Sequence, residues 1–198
     1  MGMAVAASRT DLPVLKSAGA AGFALIGVPG MGKSTTTGVT LGAIPQVVEH
    51  TDGYYLKQLV WMKIECPPAP TRRQVCQVMF EAIDTALGTD YTVMFFDAKG
   101  SAEAMVARLQ NLMVLHAVGL IVIDEIQNVA HAAERHETFL NFFVNLVNRL
   151  GVPLMLIGTA EARPLLGQAF RLARRSGGLG QPNWDRLQKG EEWDDWLK

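Results

Sequence analysis

The densest chemistry in this sequence lies in Gly27-Val28-Pro29-Gly30-Met31-Gly32-Lys33-Ser34, a glycine, four intervening residues and then Gly-Lys-Ser. Glycines at that spacing let the backbone curl so that successive N–H groups face inward. A helix starting at Lys33 adds the positive end of its dipole, so the loop suits a row of phosphates. The Lys33 ammonium is expected to reach the β and γ phosphates. The Ser34 hydroxyl is expected to ligate Mg²⁺, a hard cation that fills its octahedron with phosphate and water oxygens. Gly27, Val28, Pro29, Gly30, Met31, Gly32, Lys33, Ser34 and Thr35 are therefore the expected nucleotide-binding residues, with ATP and Mg²⁺ as expected ligands.

A second cluster follows the apolar run Leu120-Ile121-Val122-Ile123, where Asp124 and Glu125 stand side by side. Carboxylates just past a strand lie at the sheet edge where open α/β folds bind ligands. Asp124 is placed to organise Mg²⁺ through its water shell, and Glu125 to polarise a water for in-line attack on the γ phosphate. Adjacent acids there can also simply cap the next helix. Thr159, after Leu156-Ile157-Gly158, puts a hydroxyl where it could hold that water or the phosphate; it could equally cap a helix beginning at Ala160, and the two roles are compatible. Arg171, Arg174 and Arg175 share one helical face. They read either as a solvated basic surface or as a source of an arginine finger, Arg174 or Arg175, reaching a neighbouring subunit's γ phosphate.

These groups need a scaffold, and apolar periodicity supplies one. Strands are predicted at Phe23 to Ile26, Leu59 to Cys66, Leu120 to Ile123 and Pro153 to Ile157. Helices are predicted from Lys33 onward, from a Thr71 cap to Gly88, from Ser101 through Met113, and from Thr138 to Leu150, closed by Gly151. Gly38 and Gly42 weaken the first helix, so tertiary packing must hold it. Strands alternating with helices imply an α/β fold with a parallel sheet covered on both faces. His116 falls on an apolar helix end as a packed core residue; His50, His131 and His136 have no ligand spacing.

Length and composition exclude several classes. The 198 residues suffice for one domain with a full core, and 49% hydrophobic with 19% charged residues is ordinary for a folded chain. A net charge of −1 supplies no global field for nucleic acid or anionic lipid, so any polyanion site is local. Cys66 and Cys76 have neither metal nor redox spacing, which suits a reducing compartment. Arg9 and Asp11 interrupt the amino-terminal apolar run too early for a signal peptide, and Leu112 to Ile123 is too short to span a bilayer. The expectation is a soluble, cytoplasmic protein without membrane contact.

The string Val122-Ile123-Asp124-Glu125-Ile126-Gln127-Asn128, then Leu140-Asn141-Phe142-Phe143, Ile157-Gly158-Thr159-Ala160-Glu161-Ala162 and Ala173-Arg174-Arg175, resembles the AAA+ regulators of DNA transposition, specifically the TnsC and TniB family, including members from CRISPR-associated transposons. The likeness runs from about Phe23 to the carboxyl end. It implies an AAA+ P-loop NTPase in which Gly27 to Ser34 bind ATP, Asp124 and Glu125 serve Mg²⁺ and hydrolysis, and Thr159 is the first sensor. It also implies a bacterial homo-oligomer, ring or helical filament, on double-stranded DNA, recruiting transposase and linking it to target-selection proteins. Lys99, beside Gly100 in the loop between the second and third predicted helices, is a candidate DNA contact. The resemblance divides the chain into an amino-terminal linker (1–21), the ATPase core (22–185) and the start of a longer carboxyl-terminal segment (186–198). The small helical lid usual in AAA+ modules is expected to be absent, because only 39 residues follow Thr159. The stretch before Phe23 is also shorter than in several relatives.

Overall fold

A computed structural model describes residues 22–53, 55–132, 138–139, 141–142, 145, 149, 151–163 and 183–184. The chain enters at β1 (Gly22–Gly27) and turns through the glycine loop into α1 (Lys33–Gly42). A hairpin of β2 (Val47–His50) and β3 (Leu56–Leu59) precedes β4 (Trp61–Glu65). Then come α2 (Arg72–Leu87), a short α3 (Tyr91–Phe95), α4 (Ala102–Leu115), β5 (Leu120–Asp124), β6 (Leu154–Gly158) and the two-residue β7 (Asn183–Trp184). Residues 138, 139, 141, 142, 145 and 149 are helical, where the 138–150 helix is expected.

The main sheet runs β4-β5-β6-β1-β7, and every pair in it is parallel. Side chains alternate across it, as the period of two requires. Ala24, Ile26, Met62, Ile64, Ile121, Ile123, Leu154 and Leu156 share the large core with α2 and α4. Leu25, Val122 and Ile157 form a separate cluster with Leu41 of α1. Both faces of the sheet are thus covered, as the near-continuous apolar strands require.

Local signals position the covering helices. Thr71 Oγ1 accepts from the Gln74 N–H at 3.2 Å, and the Gln74 side chain accepts from the Thr71 N–H at 2.8 Å, a complete capping box for α2. Gly88 closes that helix at φ 70°, in the left-handed conformation that glycine adopts most cheaply. Ser101 caps α4 through its hydroxyl, which accepts from the Ala104 N–H at 3.1 Å. Val75, Cys76, Met79, Phe80, Ile83 and Leu87 of α2 are buried in the core, with Val78 partly buried against it.

Three features depart from the predicted layout. The single strand over Leu59 to Cys66 is two strands. Leu59 pairs with Val47 in the hairpin, Val60 donates instead to Gln46 O at 2.8 Å, and the sheet strand starts only at Trp61. Buried Leu59 and Met62 are three apart, so the alternation slips by one residue at this corner. The backbone of Val60 also packs against Gly119, where a Cβ would come within 2.6 Å of the Val60 carbonyl oxygen.

The second departure is α3, which depends on a partner from α2. The Asp84 carboxylate accepts from Tyr91 N–H, Thr92 N–H, Thr92 Oγ1 and Thr89 Oγ1 at 2.6–2.7 Å. The third is β7, which adds two residues beside β1. With α3 in place, Lys99 lies between the third and fourth helices rather than the second and third. It is exposed there, with its backbone N–H on the Asp97 carboxylate.

His116 is 9% exposed and packs as expected. Its Nδ1 faces the Lys57 carbonyl and its Nε2 the Tyr91 hydroxyl, both at 2.9 Å. A carbonyl can only accept, so the neutral ring carries its proton on Nδ1. Burial, with nearby Glu65 for Cys66 and Glu103 for Cys76, pushes both thiols up to about 12, where they are inert. Among the described residues no helix is long and apolar enough to cross a membrane.

Candidate functional site

Because the strands are parallel, their carboxyl ends share one edge, and β1, β5 and β6 deliver their next residues to it. Pro29 to Thr35, Asp124, Glu125, Gln127, Gly158, Thr159 and Glu161 line a single cavity there of about 540 Å³. Gly27 and Val28, also expected as binding residues, do not line it; their carbonyls serve the loop's interior.

Gly30 and Gly32 have φ of 77° and 76°, with open space where a Cβ would stand, so conformation rather than crowding calls for glycine. Gly32 occupies the cap position of α1, and no side chain caps that helix. The first-turn N–H groups of α1 therefore present donors at the loop. Lys33 is only 8% exposed, and its ammonium donates to Gly27 O at 3.0 Å and Val28 O at 2.8 Å. Those two bonds brace the loop from inside, and an ammonium has a third N–H for an anion in the cavity.

Asp124 is 5% exposed. A carboxylate buried that far needs compensation. Its Oδ2 lies 2.9 Å from Lys63 Nζ, and its Oδ1 accepts from the Glu125 N–H at 3.0 Å. Lys63 reaches across from β4, a partner that no local pattern announces. Glu125 itself sits at φ 56° and ψ 37°, a left-handed conformation that costs a non-glycine residue about 1 kcal/mol. Such strain is characteristic of functional positions. It also turns the chain sharply from β5 into a 3₁₀ turn over Ile126–His131.

On that turn Gln127 donates through Nε2 to Glu125 Oε2 and accepts through Oε1 from the Thr159 N–H at 3.1 Å. Asn128 donates to Cys66 O at 2.8 Å and pins the turn to the end of β4. Thr159 precedes a 3₁₀ turn at Ala160–Ala162, yet its hydroxyl makes no capping bond. The capping alternative for Thr159 is thereby corrected: the turn is closed by the Thr159 carbonyl, which accepts from the Ala162 N–H at 3.0 Å. The buried hydroxyl has no hydrogen-bond partner among the described residues. Gln127, Lys63 and Glu161 were assigned no role from the sequence, although Gln127 and Glu161 stand in the strings that carry the family resemblance. Arg171, Arg174 and Arg175 lie outside the described residues.

The cavity offers oxygen donors, Ser34 and Asp124, rather than a protein cage. No cluster of three His, Cys, Asp or Glu side chains suited to a metal occurs among the described residues. That donor set fits Mg²⁺, which usually takes one or two protein oxygens and completes its shell with phosphate and water.

The fold is similar to those of solved structures of two ORC proteins and a Walker-type ATPase. The ORC2 protein of Aeropyrum pernix, in ADPNP–ADP complexes, is 16% identical with a TM-score of 0.54, over 93% of this chain and 47% of that one. ORC1 of Aeropyrum pernix in complex with DNA is 19% identical with a TM-score of 0.53, over 86% of this chain and 40% of that one. A Walker-type ATPase of Pyrococcus abyssi is 16% identical with a TM-score of 0.52, over 85% of this chain and 49% of that one. This chain thus spans about half the length of these proteins or less, and identities so low carry the fold alone. No curated protein matches the sequence. The family model described as "AAA domain" matches residues 17–166, most of the chain. With the glycine loop, the Asp124-Glu125 pair and the parallel sheet that joins them, the chain belongs to the AAA domain family and has the P-loop NTPase fold of the AAA+ type.

Proposed function

We propose that this chain is the ATPase module of an AAA+ regulator of DNA transposition of the TnsC and TniB type. It binds ATP with Mg²⁺, oligomerises on double-stranded DNA and links transposase to target-selection proteins. The observation that carries the catalytic part is the convergence of the glycine loop, Asp124, Glu125 and Thr159 on one cavity. The transposition part rests on the Asp124-Glu125-Ile126-Gln127-Asn128 and Ile157-Gly158-Thr159 strings in order.

The loop N–H groups and the Lys33 ammonium bind the phosphates. Ser34 and Asp124 hold Mg²⁺, which when bound neutralises charge developing on the phosphate oxygens. Glu125 accepts the proton of the attacking water. Thr159, whose hydroxyl has no partner among the described residues, holds that water or the γ phosphate. Arg174 or Arg175 supplies a finger across the subunit interface. Mixing a finger variant with Lys33→Ala subunits restores some active sites if the two intact halves meet at one interface.

A second reading, an initiator-like DNA-associated ATPase, is favoured by the likeness in fold to the Aeropyrum pernix ORC proteins. ATP turnover by the protein with and without duplex DNA, together with transposase binding, separates the two. Turnover with no transposase association overturns the transposition reading, and absence of nucleotide binding overturns both.

A further inference from the structure

The side-chain amide of Gln127 is engaged at both ends, by the Thr159 N–H and by the Glu125 carboxylate. Chemistry leaves it one orientation. A backbone N–H only donates, so it must face Oε1; an ionised carboxylate only accepts, so it must face Nε2. The turn beneath is anchored by Ile126 and Val129, which are 2% and 1% exposed, and by the Asn128 bond to Cys66 O. Gly158 makes room for the amide: a Cβ there would lie 2.7 Å from Gln127 Oε1 and 2.8 Å from Ile126 Cγ2. One amide thus joins the residue after β5 to the residue after β6, with Gln127 and Thr159 themselves 32 positions apart in sequence.

We infer that Gln127 is a positioning residue for hydrolysis, holding one oxygen of the Glu125 carboxylate so that the other faces the water, and coupling that carboxylate to Thr159. This rests on the hydrolytic function proposed above. The donated hydrogen bond limits rotation of the carboxylate, and general-base catalysis is sensitive to such placement. Thr159 lines the same cavity and its buried hydroxyl has no partner among the described residues, so a phosphate oxygen that accepts from it acts on the residue whose N–H Gln127 holds. Arrival of the γ phosphate is thereby communicated to the base.

Two substitutions separate catalytic positioning from a purely structural tie. Gln127→Glu keeps the size and the acceptor toward Thr159 but sets a second carboxylate against Glu125; Gln127→Ala removes both contacts. Single-turnover ATP hydrolysis with Mg²⁺ and duplex DNA, binding of a fluorescent ADP analogue and the thermal midpoint are measured on the full chain. Gln127→Glu is expected to bind the analogue within about twofold of the wild type and to hydrolyse ATP at least about tenfold more slowly. Gln127→Ala and Gly158→Ala, whose Cβ displaces the amide, are expected to share the loss of rate. Wild-type turnover that Lys33→Ala abolishes, with Gln127→Glu hydrolysing at the wild-type rate, overturns this inference alone. A wild-type chain that binds the analogue and never hydrolyses ATP overturns the hydrolytic function and this inference together.

Discussion

Lys63 of β4 lies 2.9 Å from Asp124 of β5, so the buried carboxylate expected to organise Mg²⁺ is matched by a cation on the neighbouring strand. Removing the cation leaves that carboxylate unpaired inside the protein. Lys63→Met is expected to destabilise the fold by about 2 kcal/mol, below the usual range for a broken buried pair because Lys63 keeps some access to water. A urea titration measures this, and Lys63→Arg is expected to recover most of it. An unchanged midpoint in Lys63→Met would show that Asp124 does not depend on this partner.

Lys33→Ala removes the ammonium that faces the phosphates and, with it, two bonds to the loop carbonyls of Gly27 and Val28. Nucleotide affinity is expected to fall at least about tenfold, since bonds to charged groups contribute roughly 1.5–3 kcal/mol each. Isothermal titration with ADP and ATP reads the change. Wild-type affinity would remove Lys33 from the binding residues.

For Glu125→Gln, nucleotide binding is expected to persist while hydrolysis slows by about 10² to 10⁴, the range for loss of a positioned base. The amide can still accept from Gln127, so the turn keeps its shape. Hydrolysis at the wild-type rate in a single-turnover assay places the base elsewhere.

The Asp84 carboxylate anchors α3 and makes the fold acid-sensitive. Partial burial raises its pKa, but the bonds from Thr92, Thr89 and Tyr91 outweigh that and hold the net value below the usual 3.8. The unfolded chain therefore binds the proton more readily. The stabilisation is fully present above pH 3.8 and is lost as pH falls through the lower folded value. Asp84→Ala is expected to cost about 2 kcal/mol at neutral pH and to flatten the acid limb of stability. Melting curves between pH 2 and pH 7 test both; an acid limb identical to the wild type would assign it to other carboxylates.

The glycine loop, the α2 cap and the carboxylates after β5 were legible in the sequence because each is a local arrangement. Gly30 and Gly32 supply their own backbone freedom, Thr71 caps through Gln74 three residues on, and Asp124 follows directly from an apolar run. The corner at Val60, the β2–β3 hairpin and α3 were not legible. Val60 is diverted by Gln46, and α3 is held by Asp84 on another helix, so neither shows in apolar spacing. The same holds within the candidate site. Lys63 meets Asp124 only because β4 and β5 pair with Ile64 beside Ile123, and Gln127 reaches Thr159 only because β6 lies next to β5. Strand order and register are set by burial of whole faces across the sheet, which periodicity along the chain does not encode. The sequence by itself determined which groups can do phosphate chemistry; the tertiary structure decided which of them touch.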